Sequence, residues 1–122
     1  MKTCLIVDDS RTIRTAVRRF IVDLGFQVRE AENGAEGLKS CREQKPDVVL
    51  LDWNMPVMTG IEFLRALPGA MHGDAPLVIL CTTESDIDHI VEALSAGASE
   101  YIMKPFDKEI VESKFRQVGL LS

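Results

Sequence analysis

Residues Thr3–Ser10 read TCLIVDDS: an apolar run, Cys4 to Val7, that stops abruptly at two adjacent carboxylates, Asp8 and Asp9. The run has the length and composition of a buried strand bounded by polar residues. Two unit charges ~4 Å apart repel by about 4 kcal/mol at an effective dielectric near 20, so water or a cation must offset that pairing.

Working outward, the same pattern returns. Strand-like runs occupy Thr3–Val7, Gln27–Ala31, Asp47–Leu51, Pro76–Cys81 and Glu100–Met103. Between them lie segments of helical period. Ser10 is a natural N-cap for a helix carrying Ile13, Val17, Phe20, Ile21 and Leu24, which Gly25 stops. A second helix follows Asn33–Gly34 and ends at Lys45-Pro46-Asp47. A third is expected over about Gly60 to Leu67, ahead of Pro68–Gly69. A fourth carries Ile87, Ile90, Val91 and Leu94 and ends near Gly97, and a fifth spans about Asp107 to Val118. Five β–α units predict an α/β fold, a five-stranded parallel sheet covered by helices on both faces. The continuous apolar runs Val48–Leu51 and Leu77–Leu80 suit central strands, and the short last strand suits an edge.

The 122 residues fit one domain, and a 46% hydrophobic share supplies a real core. The net charge of −5 argues against general nucleic-acid binding. No leader peptide and no apolar stretch of ~18 residues is present, so membrane insertion is not expected and a reducing cytoplasm is the expected location. Cys4, Cys41 and Cys81 lack metal or redox spacing and read as small buried hydrophobes. His72 and His89 have no partner at metal-ligand spacing, and Met55 and Met58 read as packing residues.

In open α/β sheets ligands bind beyond the carboxyl ends of the strands. There the first strand offers Asp8 and Asp9, the third Asp52, the fourth Thr82 and Thr83, and the fifth Lys104 followed by Pro105. Three carboxylates form an oxygen-rich hole suited to Mg²⁺. Lys104 adds a mobile positive charge and Thr82 a hydroxyl donor for a phosphoryl oxygen. A carboxylate beside a metal and a lysine is the equipment for an aspartyl phosphate.

At these residues the chain resembles the receiver domain of two-component response regulators, particularly single-domain chemotaxis regulators. The resemblance covers essentially the whole chain. It rests on VDDS, LLDWNMPVMTG, LCTTE and SEYIMKPF, in that order and spacing. It implies a flavodoxin-like sheet of order 2-1-3-4-5 and a single receiver domain over 1–122 with no output domain. It further implies Asp52 as phosphoacceptor, and Mg²⁺ held by Asp8 (largely through a water), Asp9, Asp52 and the Asn54 backbone carbonyl. Lys104 and Thr82 would contact the phosphoryl group. Tyr101 would be the switch aromatic, its ring turning inward when Thr82 moves. Asn54 and Glu84 would tune dephosphorylation, and the Lys104–Pro105 bond would be cis.

The implied function is a phosphorylation-activated switch, not an enzyme in the ordinary sense. A sensor histidine kinase or histidine phosphotransfer protein would supply the phosphoryl group. Output would be a protein contact through the fourth helix, fifth strand and fifth helix. Chemotaxis or motility control is the expected setting, with a phosphate sink or a phosphorelay step as the alternatives. An Mg²⁺-dependent phosphohydrolase using Asp52 is a rival, but Asn54 stands where such enzymes place a proton-transferring acid. A flavin carrier would need a phosphate loop where DDSRTIR stands.

Two charge patches stand out. Arg11, Arg14, Arg18 and Arg19 on the first helix suit an acidic phosphodonor domain. Glu84, Asp86, Asp88 and Glu92 on the fourth suit a basic or polar partner. Trp53, the sole tryptophan, is expected as a neutral pocket wall and a fluorescent reporter.

Overall fold

The computed structural model describes residues 1–53, 55, 57–82 and 87–122, and for 87–89 the backbone only. Among these residues five strands alternate with five helices: β1 (Thr3–Val7), α1 (Arg11–Asp23), β2 (Gln27–Ala31), α2 (Gly34–Glu43), β3 (Val48–Asp52), α3 (Gly60–Ala70), β4 (Leu77–Thr82), α4 (Ile87–Ser95), β5 (Glu100–Met103) and α5 (Lys108–Gln117). The strands form one parallel sheet of order β2-β1-β3-β4-β5. The chain winds outward in one direction from β1 to β2 and in the other from β3 to β5. Its switch point therefore lies between β1 and β3, where ligands of such sheets bind.

Alternation along each strand divides the core in two. Leu5, Val7, Val49, Leu51, Val78 and Leu80 face α2 and α3, whose Leu38, Phe63, Leu64 and Leu67 are buried against them. Cys4, Ile6, Val48, Leu50, Ile79, Cys81 and Ile102 face α1 and α5, which contribute Val17, Ile21, Val111 and Phe115. Burying a side chain such as Ile21 or Phe115 contributes about 1.5–3 kcal/mol, and both are fully enclosed. Phe26 locks onto Phe115 with ring centroids 5.1 Å apart.

Helix starts follow their caps. Ser10, Asn33 and Asp107 each accept a backbone N–H three residues on. Thr59 and Glu62 form a reciprocal capping box that starts α3. The third helix differs from expectation at its other end. It runs through Pro68 to Ala70 instead of stopping at Leu67. Pro68 is exposed, so its ring costs one backbone bond on the outer side and displaces no core contact.

The third and fourth strands each begin and end one residue later than the apolar runs suggested. Asp47 is spent outside the strand, its carboxylate accepting from the Thr3 N–H at 2.7 Å. Asp52 instead stays in the ladder opposite Cys81. On α4 the residues at helical spacing do not all turn inward: Ile90 and Ala93 are buried, whereas Val91 is 54% and Leu94 43% exposed.

Candidate functional site

The site is assembled at the carboxyl ends of β1, β3, β4 and β5. Asp8 is the first residue after β1 and stays in register, its N–H donating to the Ala31 carbonyl at 3.1 Å. Asp52 ends β3, and the Trp53 N–H donates to Cys81 at 3.0 Å. Both carboxylates are buried, at 4% and 8% exposure, whereas Asp9 is exposed. Strand neighbours normally point to opposite faces. Here the strand has ended, so Asp8 and Asp9 share one side.

Oxygens of Asp8, Asp9 and Asp52 all lie within 4.8 Å of one another. Lys104 reaches into this group from the end of β5. Its Nζ donates to Asp8 Oδ2 at 2.9 Å and to Asp52 Oδ1 at 3.1 Å. The second Asp8 oxygen accepts the Ser10 N–H at 2.8 Å. Three carboxylates against one ammonium leave two negative charges facing an exposed rim. That donor set, all hard oxygen, fits a divalent cation such as Mg²⁺.

Electrostatics follow from burial. Burial pushes the Asp52 carboxyl up to about 6, with Asp8 and Asp9 adding to the rise and Lys104 opposing it. For Lys104, burial pulls downward, but the hydrogen bond it donates to Asp8 and the two negative charges outweigh it and hold the ammonium above its usual range.

The remaining expected residues take these places. Thr82 ends β4, buried, and its carbonyl accepts the Lys104 N–H at 2.7 Å. The Lys104–Pro105 bond is cis. Tyr101 is half-buried on β5, with Lys114 Nζ 4.9 Å from its ring centroid. Trp53 is buried in the core cluster facing α2 and α3. A small cavity beneath the acids, about 10 Å³, is lined instead by Ile6, Leu50, Cys81, Lys104 and Phe106 among others. Asn54, Thr83, Glu84 and Asp86 lie outside the described residues, as do the side chains of Asp88 and His89.

All three cysteines are free and buried. Burial pushes Cys41 up to about 11, Cys81 up to about 12 and Cys4 higher still. They behave as hydrophobes, as their apolar surroundings suggested. Met55 is likewise buried in the core.

Four contacts at the site had no reading in the sequence. Arg14 and Arg18, placed on a donor-binding surface by charge alone, both pair with Glu30 on β2, at 3.0 and 2.8 Å. Arg14 also donates to the Asp8 carbonyl at 2.7 Å. Gly60 packs against the end of β3: a Cβ there would lie 3.0 Å from the Asp52 carbonyl and 3.1 Å from the Trp53 Cα. The only available signal was indirect: Arg14 stands one helical turn after the N-cap Ser10, and Gly60 closes the stretch LLDWNMPVMTG.

Comparison with known proteins agrees with this geometry. The description of the response regulator receiver domain matches residues 4–116. The chemotaxis protein CheY of Pseudomonas aeruginosa is 36% identical over 115 residues, 93% of each chain. The transcriptional regulatory protein PrrA of Mycobacterium tuberculosis is 41% identical over 102 residues, 84% of this chain but 43% of that protein. The crystal structure of Vibrio cholerae CheY4 superposes with a TM-score of 0.89 at 34% identity, covering 97% of this chain and 98% of that one. No helix among the described residues is long and apolar enough to cross a membrane.

Proposed function

This chain belongs to the response regulator receiver domain family, and from that premise we propose that it is a switch phosphorylated on Asp52 by a phosphohistidine donor in the presence of Mg²⁺. The observation that carries the reading is the Lys104 ammonium bridging two buried carboxylates, Asp8 and Asp52, beside a third at the solvent rim.

In the transfer, an Asp52 carboxylate oxygen attacks phosphorus, the P–O bond forms, and the P–N bond to the donor imidazole breaks. The pair of electrons leaves with the imidazole, which takes up a proton. Burial makes the Asp52 carboxylate a poorly solvated nucleophile, and Lys104 keeps it oriented. Asp8, Asp9 and Asp52, with the Asn54 carbonyl, are the residues that would hold Mg²⁺, whose charge would neutralise the incoming phosphoryl oxygens. Lys104 would then exchange one carboxylate contact for a phosphoryl oxygen, and Thr82 would close on the same group. Tyr101, two strand residues from Met103, the β5 partner of Thr82, would carry that movement outward.

The output is a protein contact through α4, β5 and α5. Exposed apolar residues on those helices, Val91, Leu94 and Ile110, support this surface. The likeness to the Pseudomonas chemotaxis protein, 36% identical over 93% of each chain, supports a regulator in chemotaxis or motility control. The protein acts as a switch and turns over no substrate beyond its own phosphoryl group.

The test uses Trp53 fluorescence during titration with Mg²⁺ and then beryllofluoride, an acyl-phosphate mimic. A saturable, Mg²⁺-dependent response that disappears in Asp52→Asn and weakens in Asp9→Ala supports the reading. An equal response in Asp52→Asn overturns it.

A further inference from the structure

The two residues that open the site, Asp8 and Asp9, are joined by one planar peptide. The Asp8 carbonyl and the Asp9 N–H and Cα share that plane, so whatever fixes that carbonyl fixes the point on the backbone from which the Asp9 side chain departs. Asp8 is held at its N–H by Ala31, and at its two side-chain oxygens by Ser10 and Lys104. Asp9 is exposed, and its position therefore rests on the backbone that presents it.

That backbone is gripped by Arg14. Its Nη1 donates to the Asp8 carbonyl at 2.7 Å, a short charge-assisted bond. Its Nε donates to Glu30 Oε1 at 3.0 Å, and the other Glu30 oxygen accepts from Arg18 Nη1 at 2.8 Å. Glu30 lies on β2, opposite Ile6 of β1, so the arginine straps the turn leaving β1 to the neighbouring strand and to the first helix at once. The guanidinium sets its Nε and Nη1 donors on separate atoms in one fixed plane, a pair of directions that a lysine's single nitrogen does not reproduce. The Arg14 side chain is 13% exposed against 47% for Arg18, so Arg14 is committed inward and not to a partner.

We infer that Arg14 is a positioning residue for the metal seat: by holding the Asp8–Asp9 peptide it sets how far apart the two side chains that would hold Mg²⁺ leave the backbone. The inference rests on the Mg²⁺ reading given above. Its sign separates it from a plain charge effect. A positive charge close to a cation site weakens binding by Coulomb's law, so removing Arg14 for its charge alone would tighten Mg²⁺ binding. Removing it as a strap loosens the seat and weakens binding, by about tenfold if it acts as outer contacts of metal ligands generally do.

The experiment measures Mg²⁺ affinity by calorimetry with the metal alone, for the wild type, Arg14→Ala, Arg14→Lys and Arg18→Ala. Thermal unfolding in EDTA is run alongside to separate seat from fold. The strap predicts about tenfold weaker binding in Arg14→Ala and several-fold weaker binding in Arg14→Lys, which keeps the charge. Arg18→Ala, which removes a charge without touching the turn, should stay near the wild type. Binding in Arg14→Ala and Arg14→Lys as tight as the wild type, or tighter, overturns the inference. Should Arg14→Ala fail to fold, Arg14→Lys decides by the same criterion. A wild type that takes no Mg²⁺ overturns the metal seat itself and this inference with it.

Discussion

Lys104 Nζ lies 3.1 Å from Asp52 Oδ1, joining the end of β5 to the end of β3 across the intervening β4. The same ammonium is 2.9 Å from Asp8. One cation thus serves two buried anions, beside a cluster of three carboxylates that could hold a metal ion.

Replacing Lys104 by Met leaves two buried carboxylates without their counter-ion. Breaking a buried pair from one side costs about 3–5 kcal/mol. Lys104→Met should lower the unfolding free energy in EDTA by about 3 kcal/mol, and the deficit should shrink as Mg²⁺ is added. Urea unfolding with and without Mg²⁺ measures both. A deficit unchanged by the metal would place the two cations at separate sites.

The raised Asp52 carboxyl makes stability fall with pH. Between its usual value of 3.8 and about 6, the folded chain binds more protons at Asp52 than the unfolded chain. This contribution is therefore full below about pH 4 and lost as pH rises through 6. In EDTA at pH 7, Asp52→Asn should be more stable than wild type by about 1–2 kcal/mol, after allowance for solvent screening. The advantage should vanish toward pH 4. Mg²⁺ needs the ionised carboxylate, so its affinity should fall as pH drops below about 6. Denaturant curves and calorimetry across that range check both signs.

Gly60 is required by close approach. A Cβ at 3.0 Å from the Asp52 carbonyl meets backbone that cannot give way cheaply. Gly60→Ala should cost about 1–3 kcal/mol and weaken Mg²⁺ binding, since the displaced strand end carries Asp52. Thermal unfolding and metal titration of the one variant test the coupling; destabilisation with unchanged Mg²⁺ affinity would contradict it.

Val57 carries the opposite expectation. It is β-branched, 81% exposed, and sits at φ 71°, a left-handed conformation that costs such a residue about 1–3 kcal/mol. Val57→Gly or Val57→Asn should raise the melting temperature without altering Mg²⁺ binding. A lowered melting temperature in both variants would show that the valine side chain makes a stabilising contact.

The fold and the convergence of Asp8, Asp9, Asp52, Thr82 and Lys104 were readable because strands declare themselves as apolar runs and α/β sheets gather chemistry at one edge. The reading failed where contacts run across the sequence. Pro68 reads locally as a stop, yet its exposed position lets α3 continue. Val91 and Leu94 have core spacing on α4, yet Ala93 takes the inward position. Arg14 reads as one charge in a basic patch; only folding brings Glu30 and the Asp8 carbonyl to it. Long polar side chains choose partners in space, and no local pattern encodes that choice.

The measurement that tests the central claim most directly is intact mass after incubation with phosphoramidate, a small-molecule phosphodonor with a P–N bond. The account predicts one added phosphoryl group on the wild type in Mg²⁺, and none in EDTA or on Asp52→Asn. Equal labelling of Asp52→Asn, or no labelling of the wild type in Mg²⁺, would contradict it.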